Sequence, residues 1–288
     1  MKLIGAVRAA RMALHLAWGL VLALFYPGLT EAARRRTQRR WSHGLLKIID
    51  LRVAITADEA LHQLHPGIVV TNHISWLDVF VLNAVMPMRF VAKSEVRRWP
   101  VIGWLSRQVQ TLYIERGNAR DAVRINRQAQ TLLQNGESLA VFPEGTTTDG
   151  AAVAKFHASL LQSAIDAAVP IHPVAIRYHD AMGEHSAAPA YIADVTLIGS
   201  LWSVLSCRSL HVHLFATPSL QTHDCDRRAL ARQAHRQISD AIEIMHAIKS
   251  RITPATERLN DAEENLQSMY GMLLFSPLAK REIPSAID

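Results

Sequence analysis

Cysteine is scarce in this chain. Cys207 and Cys225 are the two it has among 288 residues, and no C-x-x-C occurs. Two thiols without ligand-like spacing support neither a disulfide framework nor a zinc–thiolate site, and they suit a reducing compartment. Nucleotide-phosphate signatures are missing too. There is no G-x-G-x-x-G and no Walker-type loop, so phosphate cradles of those kinds are not expected. A G-x-S-x-G elbow is also absent. The nearest approach, GESLA at 136–140, puts Ser138 at the start of an apolar strand rather than on a turn after one, which argues against a serine acyl-enzyme. Charged residues are 19% of the chain against 49% hydrophobic, so the composition is that of a folded protein with a sizeable core.

What positive charge there is sits at one end. Residues 1–52 hold ten Lys/Arg and two acidic residues, a net +8, and the remainder holds 21 basic and 23 acidic residues, a net −2. A nucleic-acid enzyme spreads basic charge through its folded body. Here it flanks the one long apolar run, MALHLAWGLVLALFYPGL at 12–29, with RRRTQRR following at 34–40. Eighteen helical residues reach about 27 Å, the short limit for crossing a bilayer. No small-residue cleavage site follows the run, and basic residues on both flanks set no orientation for a span. The expectation is a segment, 1–44, that associates with a membrane by crossing it or by lying in one leaflet with its arginines on anionic headgroups. A nucleic-acid partner for RRRTQRR is the weaker alternative, because the neighbouring sequence is apolar.

From residue 67 onward short β-rich runs alternate with helical patterns. GIVVT (67–71), RFVA (89–92), QTLYI (110–114) and SLAVF (138–142) read as strands. Between them 76–86, 94–107 and 118–135 read as helices. Further on, the patterns predict a helix over 153–167, strands near 170–177, 191–198 and 210–217, and a helix around 226–250. Such alternation predicts an α/β fold: one layered domain, 45–250, with a mixed, largely parallel sheet flanked by helices. A polar tail, 251–288, follows, interrupted by the apolar MYGMLLF at 269–275.

In sheets of this class, sites gather where strands run out into helices. Three polar clusters occupy such exits: TNHISWLD (71–78), ERGN (115–118) and FPEGTTTDG (142–150). His73 is a candidate base. Asp78 could hold one of its ring nitrogens if the helix begins between them, with Ser75 as the cap; the plain alternative is a capping motif with an incidental histidine. Pro143 and Gly145 bend the chain around Glu144, and the threonines after it suit an anion or a polyol, with Glu144 itself better matched to hydroxyls than to phosphate. Arg116 beside Gly117 suits a phosphate or carboxylate, or else a salt bridge to Asp121. His211 and His213 alternate on a strand without a third ligand, and His62 and His65 lie in a loop, so no metal site is expected.

Taken in order, these clusters resemble the glycerolipid acyltransferase family. Its N-H-x-x-x-x-D motif is matched by Asn72, His73 and Asp78, its arginine motif by Arg116 and Gly117, its F-P-E-G-T motif by Phe142, Pro143, Glu144, Gly145 and Thr146, and its apolar strand with a proline by VPIHPVAI with Pro173. The resemblance covers roughly residues 45–220 and implies a specific chemistry. His73, held by Asp78, would be the base on a lysolipid hydroxyl that attacks an acyl thioester carried on coenzyme A or acyl carrier protein. Arg116, Gly117, Glu144, Gly145 and Thr146 would bind the acceptor. No resident cofactor or metal is implied, and the place implied is the cytoplasmic face of the inner membrane. The acceptor implied first is 1-acyl-sn-glycerol-3-phosphate. Where the family commonly shows phenylalanine followed by lysine, this chain has Phe156 followed by His157, and EGTTTDG resembles the subgroup that acylates lyso-ornithine lipid. That lipid is the alternative acceptor. A rival of another class is a membrane- or lipid-binding protein with an inactive site.

Overall fold

The computed structural model describes residues 2–56, 66–115, 117–192 and 195–252. Residues Met1–His246 form one compact unit, which includes the segment 1–44. A second unit, Ala247–Asp288, is described only over 247–252. The MYGMLLF patch, His62 and His65 lie outside the described residues.

Two helices open the chain, α1 (Lys2–Phe25) and α2 (Glu31–Ile49). Thr30 caps α2 by accepting from Ala33 N. After them come β1 (Leu51–Thr56), β2 (Ile68–Thr71), α3 (Leu77–Val85), β3 (Arg89–Lys93), α4 (Ile102–Gln108), β4 (Leu112–Ile114), α5 (Ala119–Gln134), β5 (Leu139–Val141), α6 (Gln162–Asp166), β6 (Ile171–His179), α7 (Leu197–Ser206), β7 (Leu210–Ala216) and α8 (Arg227–Ile252). The strands form one seven-stranded sheet in the order β1-β7-β6-β2-β5-β3-β4. From β6 to β4 all neighbours are parallel, whereas β7 runs antiparallel to β6 and parallel to β1. The sheet is therefore mixed and largely parallel, with helices on both faces. β2 reads as a continuous apolar run because it is buried on both sides. Val69, Ala140, Val174 and Ile176 share one core with Leu45, Ile49, Leu77 and Val81 of α2 and α3. Buried Ile125, Ala129 and Leu133 of α5 and Leu230, Ala234 and Ile238 of α8 stand apart from that core and cover the opposite face.

α1 is long and apolar enough to cross a membrane, yet it lies along the body. Its buried positions, Gly5, Met12, Gly19 and Ala23, recur at helical spacing. A Cβ at Gly19 would sit 2.6 Å from the Trp41 ring, and one at Gly44 would sit 2.6 Å from His15. The glycines thus let α1 and α2 approach closely enough for His15 to stack on Trp41 at 4.7 Å. This accounts for the histidine that interrupts the apolar run: its Nε2 is 2.9 Å from Trp41 O. The opposite stripe, including Val7, Leu14, Trp18, Val21 and Phe25, is exposed, as are Ile198 and Trp202 on the adjoining α7.

Three expectations need correction. Among the described residues of 191–198 no strand forms: Thr196 instead caps α7, accepting from Gly199 N, and the Ile/Val/Thr content that suggested a strand belongs to the approach to that helix. The helix over 153–167 shrinks to a short turn at Ser159–Leu161 and α6, because Ala154 N and His157 N donate to Glu144 Oε2 and Pro143 O rather than within a helix. The helix over 94–107 is broken at Pro100 into a tight turn, Ser94–Arg98, and α4. β1 was not anticipated, and α2 runs past the end of the 1–44 segment that the sequence suggested to be helical.

His213 of β7 is half-buried against β1, its Nε2 2.6 Å from Thr56 Oγ1. Burial, then the charges of His179 and Arg177, push it down from 6.5 to about 4. The unfolded chain therefore binds a proton that the folded state refuses between those two values. Stability from this group is complete above pH 6.5, drains away as pH falls toward 4, and changes no further below that, a loss of about 3 kcal/mol. His179 and His211, lowered chiefly by burial, act with the same sign. The urea midpoint should fall between pH 7 and pH 5 by distinctly more in the native protein than in His213→Gln.

Candidate active site

The exits of β2 and β5 are adjacent because those strands are neighbours in the sheet. At the β2 exit, Asn72 is locked to β6, its Nδ2 donating to Ile176 O at 2.9 Å and its Oδ1 accepting from Ile176 N at 2.8 Å. That clamp fixes the start of the turn carrying His73. His73 Nδ1 lies 2.9 Å from Asp78 Oδ2. The same oxygen accepts from Ile74 N at 2.8 Å and Ser75 N at 3.0 Å, while Ser75 Oγ accepts from Leu77 N at 3.2 Å. Asp78 thus accepts from the turn into α3 and holds the imidazole as well, so the histidine is not incidental to the cap.

Asp78 is fully buried, and four donors converge on it. The fourth is Tyr178 of β6, whose hydroxyl donates to Oδ1 at 2.8 Å. Burial first, and then the Asp78 charge, push the Tyr178 phenol well above its ordinary range, so it remains a hydrogen-bond donor. Against a carboxylate, Nδ1 of His73 is the donor, and Nε2 is left with its lone pair. The His73 side chain is 21% exposed, enough to meet a substrate. Phe142 stacks flat on the imidazole, centroids 3.9 Å apart and planes 19° apart, and Phe90 stacks behind it at 6.2 Å. Ring orientation is therefore set by a carboxylate on one edge and an aromatic face below. Among the described residues no serine bonds to Nε2; Ser75 is buried with its Oγ taken by Leu77 N, and Trp76 rather than Ser75 stands at the N-cap of α3.

The β5 exit closes around this pair. Gly145, at φ +70°, returns its N–H to Phe142 O at 3.0 Å. Thr148 donates to His73 O through its N–H (2.8 Å) and its hydroxyl (3.3 Å), and Thr147 donates to Tyr191 O. Thr146 is exposed at the rim, and Pro143 is buried. Glu144 departs from expectation. It is 4% exposed, and its oxygens accept from His73 N at 2.7 Å and Ala154 N at 2.9 Å. Burial pushes its carboxyl up, against the pull of those two bonds. Rather than reach for an acceptor hydroxyl, Glu144 ties the β2 exit to the chain after the β5 exit. The physical reason is that the turn turns the side chain inward, where two backbone N–H groups require an acceptor.

Pro173 is likewise structural. Buried in β6 opposite Val70, it has no N–H to give β7, and its carbonyl accepts from Thr217. Gly117, exposed at φ +79°, follows β4 on the same end of the sheet, but three strand spacings from β2, about 14 Å. Arg116 lies outside the described residues. Its suggested partner Asp121 is engaged by Glu115 N at 2.7 Å and by Arg124 at 2.6 Å. Sequence reasoning missed Tyr178, two residues beyond the apolar strand motif, which acts through a contact across the sheet, and Ala154, which bonds back to Glu144 ten residues earlier in the chain. Among the described residues no three His, Cys, Asp or Glu are placed to hold a metal ion.

A buried carboxylate, an oriented imidazole and an aromatic backing are an arrangement that could remove a proton from an alcohol. Comparisons with known proteins agree in kind. The family described as Acyltransferase matches residues 52–177. A 1-acyl-sn-glycerol-3-phosphate acyltransferase of Neisseria meningitidis is 37% identical over 182 residues, 63% of this chain and 71% of that protein. A lyso-ornithine lipid O-acyltransferase of Pseudomonas aeruginosa is 36% identical over 243 residues, 82% of this chain and 92% of its own. The crystal structure of the 1-acyl-sn-glycerophosphate acyltransferase PlsC from Thermotoga maritima shares the fold, with a TM-score of 0.66 at 20% identity, covering 85% of this chain and 96% of that one.

Proposed function

This chain belongs to the acyltransferase family, and we propose that it moves a fatty acyl group from an acyl thioester to the hydroxyl of a lysolipid with His73 as the base. The observation that carries this is the His73–Asp78 pair, 2.9 Å apart, on an imidazole whose side chain is 21% exposed and whose Nε2 has no partner among the described residues. Nε2 takes the proton as the acceptor oxygen attacks the thioester carbonyl, Asp78 stabilises the imidazolium, and the carbon–sulfur bond breaks. The proton passes from His73 to the departing thiolate, so no base is consumed. The free thiolate needs no other acid.

Lyso-ornithine lipid is the better-supported acceptor. The alignment with the enzyme of that name runs through 92% of its length, against 71% for the glycerophosphate enzyme, and exposed His157 stands where a lysine would serve a phosphate. 1-Acyl-sn-glycerol-3-phosphate is the second reading, favoured by the Arg116–Gly117 pair. Access to such an acceptor comes through a membrane surface. The exposed stripe of α1 and α7 is the apolar face for it, with Arg35, Arg36 and Arg40 among the basic residues that follow, and an orientation in the cytoplasmic leaflet suits a reduced-thiol compartment and a soluble donor. The purified protein, given an acyl thioester with each lysolipid in turn, should release free thiol with lyso-ornithine lipid at a rate at least about tenfold above that with the glycerophosphate, a difference that one well-placed polar recognition supports. A reversed order assigns the second acceptor. No thiol release with either lipid would refute the reading.

A further inference from the structure

On the sheet face opposite α2 and α3, the start of α8 and the segment 153–158 enclose an open groove of about 930 Å³. One wall is cationic. Arg228, Arg232 and Arg236 recur every fourth residue along α8, so they line one side of that helix over about 12 Å, and Lys155 faces them from the other segment. All four are exposed, and no carboxylate among the described residues forms an ion pair with any of them. The floor is apolar: Phe156 is buried there, with His235 packed edge-on at 5.1 Å and 84°. No acidic residue lines the groove.

Like charges at this spacing repel one another and add nothing to the fold. An anion with several charges, held between them, would relieve that repulsion. A lipid surface is a poor candidate, because the exposed apolar stripe of α1 lies on a helix that packs on the core at the other face of the sheet. The concavity and volume are those of a small-molecule site, and an apolar floor with a cationic rim suits a planar ring carrying several phosphates. The groove also adjoins the chemistry. Its wall is bonded to the site loop by Ala154 N to Glu144 Oε2 at 2.9 Å and by His157 N to Pro143 O at 2.8 Å, and Glu144 holds His73 N.

Resting on the acyl-transfer reading above, we infer that this groove binds the phosphorylated nucleotide end of a coenzyme-A-type acyl thioester, with Arg228, Arg232, Arg236 and Lys155 on its phosphates and the thioester reaching toward His73. The donor therefore arrives from the aqueous side while the lysolipid arrives from the membrane side, and the two meet at the ends of β2 and β5.

The test uses the full chain in nanodiscs, with R228E/R232E/R236E against the native protein and an unchanged unfolding midpoint as the control for folding. Charge reversal of groups exposed on one helix face leaves the buried side of α8 intact. Two readouts are taken: calorimetric binding of free coenzyme A and of 3′,5′-ADP, and KM for acyl-coenzyme A and for the lysolipid. The variant should bind both nucleotides at least about tenfold more weakly and raise the donor KM by a similar factor, the scale of one or more lost charge-assisted bonds, with the acceptor KM unmoved. Native binding should weaken as salt is added. Equal nucleotide binding by the two proteins overturns the inference, as does a shift confined to the acceptor KM or a dependence on acyl carrier protein with acyl-coenzyme A unaffected. If no lysolipid is acylated by either protein, the acyl-transfer reading fails while nucleotide binding still decides the groove.

Discussion

His73→Ala should abolish acyl transfer, lowering kcat by about 10²–10⁴-fold, the range that a positioned general base contributes. KM for both substrates should hold, because the proton is taken only on the way to the transition state. Thiol release from an acyl thioester in the presence of lysolipid measures it. The unfolding midpoint should scarcely move, since the ring is held at one edge and one face and is 21% exposed. Asp78→Asn should be as severe for activity and costly for stability as well. The carboxylate is fully buried and accepts four hydrogen bonds, from His73, Ile74, Ser75 and Tyr178, and an amide in its place turns an NH₂ toward at least one of those donors. Tyr178→Phe removes one of the four and leaves His73 Nδ1 its partner, so its loss should be the smallest, about tenfold. That order, His73 and Asp78 far above Tyr178, follows from geometry alone. Full activity in His73→Ala would remove the base from the mechanism.

Much of this was legible from local chemistry. An apolar run buried on both faces, ended by a polar turn and followed by a helical pattern, marks β2 and β5 and puts His73 and the F-P-E-G-T loop at strand exits. Asp78 five residues after His73 was legible as a holder, because a helix starting between them brings its first turn back to the strand end. What was not legible depends on which strands become neighbours. Tyr178 reaches Asp78 because β6 pairs with β2, and nothing within β6 announces that partner. β1 went unseen because its hydrogen bonds go to β7, far downstream. The region 153–158 has a helical composition, yet its N–H groups go to the site loop, and no local propensity shows that competition. His15 looked like a flaw in an apolar run until the glycines of α1 and α2 showed what it stacks upon.

Glu144 is the sharpest case, because the structure gives it a backbone-tying role where the sequence suggested an acceptor-binding one, and one substitution separates the two. If Glu144 met an acceptor hydroxyl, Glu144→Ala would raise the acceptor KM and leave the fold alone. In the structure the carboxylate is the shared acceptor for His73 N and Ala154 N. Its removal therefore leaves two backbone donors without a partner at a site where Glu144 itself is 4% exposed. Each orphaned donor costs about 1–3 kcal/mol, so the loss of both should cost the variant about 2–6 kcal/mol of stability. For a body of this size that lowers the unfolding midpoint by roughly 4–12 °C. Activity should fall with it through kcat, because the bond to His73 N fixes the backbone from which the imidazole projects. Glu144→Gln, which keeps one acceptor oxygen, should fall between the two proteins in both respects. A Glu144→Ala protein as stable as the native one, with only the acceptor KM raised, would return this residue to the ligand. The expected pattern instead makes it the tie by which the β5 exit holds the base of the β2 exit in place.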